Sequence, residues 1–331
     1  DVIEQKIAQT NDEIRTGAGN DQISINNGNV YAGDGDDVVV NGSGLVDGGS
    51  GNDIIRGMTY GTVDGGSGTD ELVADLSVHT AYNYRRSLVY WRQDEVGNQI
   101  NLVGAGSSWA DVDAYLSVGG TNYLGSQYIN SPQGYALLSY TNIEKVSLTG
   151  LNNDPYYGAF GDDLLIVVGQ GGKYAGGSGT DTLYADWSAS TVSAMFDSSL
   201  GDEQTFNGIN ISGIERFLVK LGSGDDVLNI ISGGAHDIWA GSGNNQISIS
   251  SGNIYSGTGN DVLKTGSGIV EAGAGDDHIT SGGGTVDAGV GNDVIVSTGG
   301  VVDGGTGTDE LVADLSVHTA YNYRRSLVYW R

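Results

Sequence analysis

Aspartates recur at a fixed spacing along much of this 331-residue chain, each closing a short glycine-rich stretch. Gly241-Ser242-Gly243-Asn244-Asn245 returns as Gly257-Thr258-Gly259-Asn260-Asp261, Gly273-Ala274-Gly275-Asp276-Asp277, Gly289-Val290-Gly291-Asn292-Asp293 and Gly305-Thr306-Gly307-Thr308-Asp309, with a period of sixteen residues. An earlier run of the same form ends its turns on Asp21, Asp37, Asp53 and Asp70, and Asp163, Asp181 and Asp226 close three further copies. Carboxylates are hard oxygen donors. In a parallel stack with about 4.8 Å between turns they would form a file along one edge and repel one another unless cations lay between them. Ca²⁺ suits such a file, because it takes roughly six to eight oxygens in flexible geometry and accepts peptide carbonyls beside carboxylates. The candidate metal ligands are therefore Asp21, Asp37, Asp53, Asp70, Asp163, Asp181, Asp226, Asn245, Asp261, Asp277, Asp293 and Asp309. At Asn245 an amide oxygen replaces a carboxylate and brings less charge.

The elements that must carry these residues follow from the apolar positions. Two residues after each closing Asp or Asn stands Ile247, Leu263, Ile279, Ile295 or Leu311, and half a turn later a second column runs Ile254, Val270, Val286 and Val302. The first run repeats both columns, as Ile23, Val39, Ile55 and Leu72 and as Val30, Val46 and Val63. Each turn is thus expected to hold two short strands facing one narrow core. A unit of this kind buries its apolar face only by stacking on its copies, and the glycines let the chain curl through positive φ between the strands.

The glycine–aspartate turns resemble the nonapeptide of the repeats-in-toxin (RTX) family, Gly-Gly-x-Gly-x-Asp-x-U-x with U apolar. The resemblance extends over roughly 190 residues. It implies an all-β fold, a right-handed parallel β-roll (a calcium-binding RTX solenoid) with Ca²⁺ held between turns, here interrupted by antiparallel β inserts. It also implies type I secretion of an unfolded chain that folds on meeting extracellular Ca²⁺. The chain departs from the family in one respect. The family carries the motif on both edges of the roll, whereas alternate turns here read Asn41-Gly42-Ser43-Gly44, Ser251-Gly252-Asn253 or Ser281-Gly282-Gly283-Gly284 with no Asp at the ligand position. Calcium is therefore expected mainly along one edge.

The rhythm divides the chain. Residues 1–70 read as a first calcium-binding β-roll, with 1–16 as its lead-in and Asn11-Asp12 ahead of Asp21. Residues 71–142, richer in aromatic and β-branched residues with turn signals such as Val96-Gly97-Asn98, read as an antiparallel β insert. A short β-roll over 143–185 opens on Ile143-Glu144-Lys145-Val146 and has Ala159 in place of a turn glycine. A β-hairpin insert is expected at 186–213, a second calcium-binding β-roll at 214–309, and the start of the next repeat's insert at 310–331. The last assignment rests on a duplication: Val63 to Arg92 recurs as Val302 to Arg331 with only Ser67 changed, to Thr306. Such a copy suggests a tandem array growing along one axis. Six of the 14 basic residues lie in the two copies, Arg85, Arg86, Arg92, Arg324, Arg325 and Arg331, and are expected to dock on an acidic face of an adjacent roll. The segment Tyr82 to Arg92 either covers an open edge of the roll or docks an acidic neighbour or a glycan. Trp91, Trp109 and Tyr115 are the candidate glycan platform.

Composition narrows the function. With 41 acids against 14 bases and a formal charge of -27, the chain is a poor partner for nucleic acid. It has no apolar run long enough for a membrane span. The start at Asp1-Val2-Ile3-Glu4 shows no basic-then-apolar signal-peptide pattern, and the chain is expected to be a piece of something longer. No cysteine is available for staples, so a thin glycine-rich core needs another stabiliser, and the metal-free chain is expected to be disordered. No zinc-protease His pair, nucleophile elbow or phosphate loop is present, and His79, His236, His278 and His318 read as surface side chains. The chain is expected not to be an enzyme. Its expected role is a non-catalytic, calcium-stabilised structural repeat of a secreted bacterial cell-surface or extracellular protein, such as an adhesin stalk, S-layer or filament. In that role it would assemble with other copies of itself and possess no membrane span. The alternative is an accessory RTX module of a secreted polysaccharide-modifying enzyme or protease.

Overall fold

A computed structural model describes residues 2–4, 12–77, 86–128, 134–150, 161–169 and 171–313, without the side chains of residues 86, 128, 134 and 135. Among the described residues the chain is nearly all β, with one α-helix and about 17 turns of parallel β-solenoid. It divides into two compact units, one of residues 1–186 and 200–219 and the other of 187–199 and 220–331.

In the first unit the two apolar columns become the inner faces of two parallel walls. Ile23, Val39, Ile55 and Leu72 lie in register across four strands, and all four are buried. Val30, Val46 and Val63 form the opposing column and have no exposed surface. Fully burying a Val or Ile side chain contributes about 1.5–3 kcal/mol, so each turn adds only a small increment and the core is cooperative along its length.

Leu76 still belongs to this stack, its N–H donating to Thr149 O at 2.7 Å, and the strands from Gly134 onward pair with it again. The strand Gly134–Thr141 pairs parallel with Tyr60–Asp64, placing Tyr140 on the Val63 column. Lys145–Thr149 pairs parallel with Glu71–Asp75, placing Val146 on Leu72, and the Lys145–Glu71 ion pair (2.9 Å) fixes that register at the surface. Between exit and return, Arg86–Gln93 pairs antiparallel with Thr121–Tyr128 and Gln99–Val103, and Thr121–Tyr128 pairs antiparallel with Gly134–Thr141.

The segment 71–142 also contains a helix, α1 (Trp109–Ser117), that the aromatic and β-branched composition did not suggest. The Ser108 hydroxyl accepts the Asp111 N–H, and the Asp111 carboxylate accepts the Ser108 N–H at 2.9 Å, a reciprocal cap of the first turn. Val112 and Tyr115 are the buried face. At the other end, Arg92 Nη1 donates to the carbonyls of Leu116 and Val118, where a cation complements the helix dipole. Arg92 is therefore a helix cap inside the insert and does not dock on a roll. Arg85, Arg324, Arg325 and Arg331 lie outside the described residues, as do the side chain of Arg86 and the residues Asn11, His79, Ala159 and His318.

In the second unit Leu228, Ile247, Leu263, Ile279, Ile295 and Leu311 stand in parallel register along one wall. Ile238, Ile254, Val270, Val286 and Val302 do so along the other. The edge without aspartates closes through inward hydroxyls. Ser281 Oγ donates to Gly283 O and Ser297 Oγ to Gly299 O, both at 2.7 Å, and Thr265 Oγ1 donates to the Gly252 and Ser267 carbonyls. His236 is not a surface side chain: it is buried, with Nε2 within 3.3 Å of Ser232 O and Ser250 Oγ.

Candidate metal centre

Each Gly-x-Gly-[Asn/Asp]-Asp turn brings two polar side chains to the solenoid edge, and the glycines set how closely the turns approach. A Cβ on Gly275, which has φ +141°, would stand 1.8 Å from Gly259 O. Only hydrogen fits there, so the close stacking of carbonyls at this edge depends on residues without side chains.

The closing aspartates point inward. Eleven of the twelve predicted ligands are buried, Asp309 in the last fully described turn being exposed. The structure sorts them into three files. In the first, Asp37 Oδ1 accepts the Asp21 N–H, Asp53 Oδ1 accepts that of Asp37 and Asp70 Oδ1 that of Asp53, at 2.7–2.9 Å. In the second, Asp181 Oδ1 accepts the Asp163 N–H at 2.8 Å, while Asp163 Oδ1 accepts the N–H of Leu88 from the insert. In the third, the same bond links Asp226, Asn245, Asp261, Asp277, Asp293 and Asp309 in succession, and Asp226 Oδ1 accepts the Ala194 N–H.

Two glutamates belong to these files although the glycine motif does not include them. Glu144 Oε2 accepts the Asp70 N–H at 2.8 Å, and Glu215 Oε2 accepts the Asp181 N–H at 2.9 Å. Each stands where the chain rejoins the solenoid after an interruption, and the longer side chain does what the next turn's Asp would do. The sequence signal was the recurrence of Ile-Glu-[Lys/Arg], at Ile143-Glu144-Lys145 and Ile214-Glu215-Arg216.

The residue before each closing Asp forms a second, outer ladder of opposite polarity. Asn20 Oδ1 accepts the Asp36 N–H, Asp36 Oδ1 that of Asn52, and Asn52 Oδ1 that of Thr69, at 2.8–3.1 Å. Asp225, Asn244, Asn260, Asp276 and Asn292 repeat the pattern in the second unit up to the Thr308 N–H. Inner side chains therefore reach back one turn and outer ones reach forward, so adjacent turns are held by two bonds, charge-assisted wherever the acceptor is an aspartate.

Those bonds use only one oxygen of each inner carboxylate. Oδ2 of Asp37, Asp53, Asp70, Asp181, Asp226, Asp277 and Asp293 is buried with no hydrogen-bond partner. Leaving a buried charged acceptor unsatisfied is costly, and the acidities respond. Burial pushes Asp53, Asp226 and Asp277 up to about 6, with neighbouring carboxylates adding to it. Asp181 is pushed up to about 8, first by burial and then by the charge of Asp163. Burial likewise raises Asp37, Asp70, Asp261 and Asp293.

A row of buried oxygens in this condition calls for a proton or a cation. Among the described residues no three His, Cys, Asp or Glu side chains converge on one point. A cation held here would take carboxylate oxygens from successive turns and draw its remaining ligands from peptide carbonyls and water. That donor set is all oxygen, which suits Ca²⁺ and does not suit the nitrogen and sulfur preference of Zn²⁺.

The expected glycan platform is not one. Trp91 and Tyr115 are 7% and 1% exposed, with Trp91 stacked on Tyr123 at 5.5 Å, and Trp109 packs on Tyr184 at 4.7 Å. Trp91 and Tyr115 are thus interior rings of the insert, and Trp109, half-buried, faces Tyr184 of the strand Thr182–Asp186. The loop Gly104 to Ser107 ahead of α1 is tied down by Arg216, whose Nη1 donates to the Ala105 and Ser107 carbonyls. No protein-family model matches the chain, and no curated protein is detectably similar to it. The resemblance to the RTX family therefore rests on the repeated motif.

Proposed function

We propose that the chain is a non-catalytic structural repeat segment whose solenoid is completed by Ca²⁺ along its aspartate edge. The observation that carries this reading is the row of buried, unpartnered Oδ2 atoms at the turns of Asp37, Asp53, Asp70, Asp181, Asp226, Asp277 and Asp293. Bound Ca²⁺ supplies the positive charge that these oxygens lack. The protein's own groups do the rest: Oδ1 keeps each turn tied to its neighbour, the glycines allow the turns to close up, and the two apolar columns exclude water from one side of the file.

An all-oxygen file fits a place where Ca²⁺ is abundant, since extracellular calcium modules work in the range of roughly 10⁻⁴–10⁻³ M. The proposed setting is accordingly outside the cell, in a secreted surface protein of the adhesin, surface-layer or filament type, exported as an unfolded chain. The near-verbatim copy of Val63–Arg92 at Val302–Arg331 supports a tandem array with other repeats or copies as partners. Electron microscopy of the native assembly, with Ca²⁺ and after EGTA, tests this role. Regular fibres or lattices that dissolve on chelation are the expected result; a dispersed, soluble protein in both conditions would point instead to an accessory module of a secreted enzyme.

A further inference from the structure

The second unit carries an aromatic pair that its core does not use. Trp239 and Tyr255 are partners on adjacent parallel strands with outward side chains. Their rings stack at 4.5 Å with an interplanar angle of 29°, and Trp239 is 45% exposed. The indole thus packs on Tyr255 and still presents apolar ring surface to water, in a file that continues with the charged residues Glu271, Asp287 and Asp303. Beside the pair lies a cavity of about 290 Å³ lined by Lys220, Ser223, Ser242 and Ser188 together with both rings.

We propose that this cavity and the Trp239–Tyr255 pair form a binding site for a neutral hexopyranose unit of a glycan. The aromatic surface matches the C–H face of a sugar ring through dispersion and the ring quadrupole, and the serine hydroxyls on the rim can both donate and accept, as sugar hydroxyls require. The volume lies at the small end for ligand sites and holds one ring, with neighbouring units left in solvent.

The acidic file beside the pair selects against anionic ligands. The file continues from Tyr255 through Glu271, Asp287 and Asp303, which repels sulfated or uronic chains and nucleic acid. In the first unit the corresponding outward file reads Arg15, Tyr31 and Asp47, and there the aromatic face is already covered by the Arg15 guanidinium, 3.8 Å from the Tyr31 ring centre. Among the described residues this file of the first unit therefore offers no equivalent open platform.

The test is calorimetric titration of the full chain in Ca²⁺ with neutral gluco-, galacto- and manno-oligosaccharides, with heparin and arginine amide as anionic and cationic probes. The expected result is binding of at least one neutral series, weakened about tenfold, or 1.4 kcal/mol, by Trp239→Ala, with the circular dichroism melt unchanged. Ser242→Tyr provides a second variant that fills the cavity without touching the pair. The middle position of this glycine turn already holds Ser242, Thr258, Ala274, Val290 or Thr306, so it tolerates side chains of different size, and this variant too should abolish binding. The proposal is overturned if no neutral series binds, if binding survives both variants, or if only heparin or arginine amide binds in a Trp239-dependent way.

Discussion

Replacing Asp277 by asparagine removes one negative charge from the inner file and leaves its geometry intact, because the amide oxygen can still accept the Asp261 N–H that Asp277 Oδ1 accepts at 2.8 Å. Asn245 shows that an amide is accommodated at this position, with its Nδ2 donating to Gly243 O at 3.2 Å. Asp277 is raised from 3.8 to about 6 by burial, so holding it ionised above pH 6 in the metal-free fold costs at most about 3 kcal/mol at 1.36 kcal/mol per pKa unit, less the part that solvent screening at the solenoid edge removes. In EGTA, with trimethylamine N-oxide added to keep the chain folded, Asp277→Asn should therefore stabilise the protein by up to about 3 kcal/mol at neutral pH. In saturating Ca²⁺ the same substitution removes a charged ligand and should destabilise by about 3 kcal/mol, the scale of breaking one side of a buried charge pair. Urea unfolding followed by circular dichroism reads both. The sign reversal is the signature of a cation between the turns, and an effect of one sign in both solutions would refute the reasoning.

Acidity gives a second test. The folded-state pKa values of Asp53, Asp226 and Asp277 lie near 6, above the unfolded 3.8, so protonation favours the fold. Metal-free stability should be greatest below about pH 4, fall as pH rises to about 6, and fall further to about 8 through Asp181. With Ca²⁺ the dependence reverses, and the calcium concentration at half-folding should rise as pH drops below 6; a midpoint independent of pH would contradict this. Glu144→Ala should cost about 1–3 kcal/mol by orphaning the Asp70 N–H, with Glu144→Gln restoring most of it, as measured by urea midpoints; equal losses in both variants would argue against the bond. Gly275→Ala, whose Cβ would meet Gly259 O at 1.8 Å, should disrupt the stack, whereas Gly19→Ala, with φ +116° and nothing within 4 Å, should cost only the backbone strain of about 1–3 kcal/mol. Thermal melts of the two variants that coincide would show that turn spacing does not limit stability.

Much of the solenoid was legible because its determinants are local and repeated. A sixteen-residue spacing of Asp37 and Asp53 with Val39 and Ile55 two residues on fixes which side chains share a face, and the register follows without knowledge of the rest of the chain. The return of Gly134–Thr141 onto Tyr60–Asp64 was not legible, because it joins strands more than seventy residues apart with no shared period. The helix α1 was written in Ser108-x-x-Asp111 and in the i, i+3 pair Val112 and Tyr115, yet the surrounding β-branched and aromatic residues outweighed so short a signal.

At the edge, the residue types pointed to the inner file, but how its two oxygens divide their work did not show in the sequence. That Oδ1 is spent on the neighbouring turn while Oδ2 of Asp37, Asp53, Asp70, Asp181, Asp226, Asp277 and Asp293 is left bare depends on an inter-turn distance that only the stacked structure sets. The outer ladder was visible as alternating Asn and Asp at positions such as Asn20, Asp36 and Asn52, and its polarity was not. Arg92 looked like a docking residue by its company of Arg85 and Arg86, whereas its position opposite the end of α1 decides its role.

The central claim is that cations between like-charged turns allow so thin a core to persist, and calorimetry of the whole chain at neutral pH, in Ca²⁺ and in EGTA, addresses it most directly. The account predicts a cooperative transition that climbs with calcium concentration and disappears, together with the β-sheet dichroism, in the chelator. An identical transition in both solutions would contradict it.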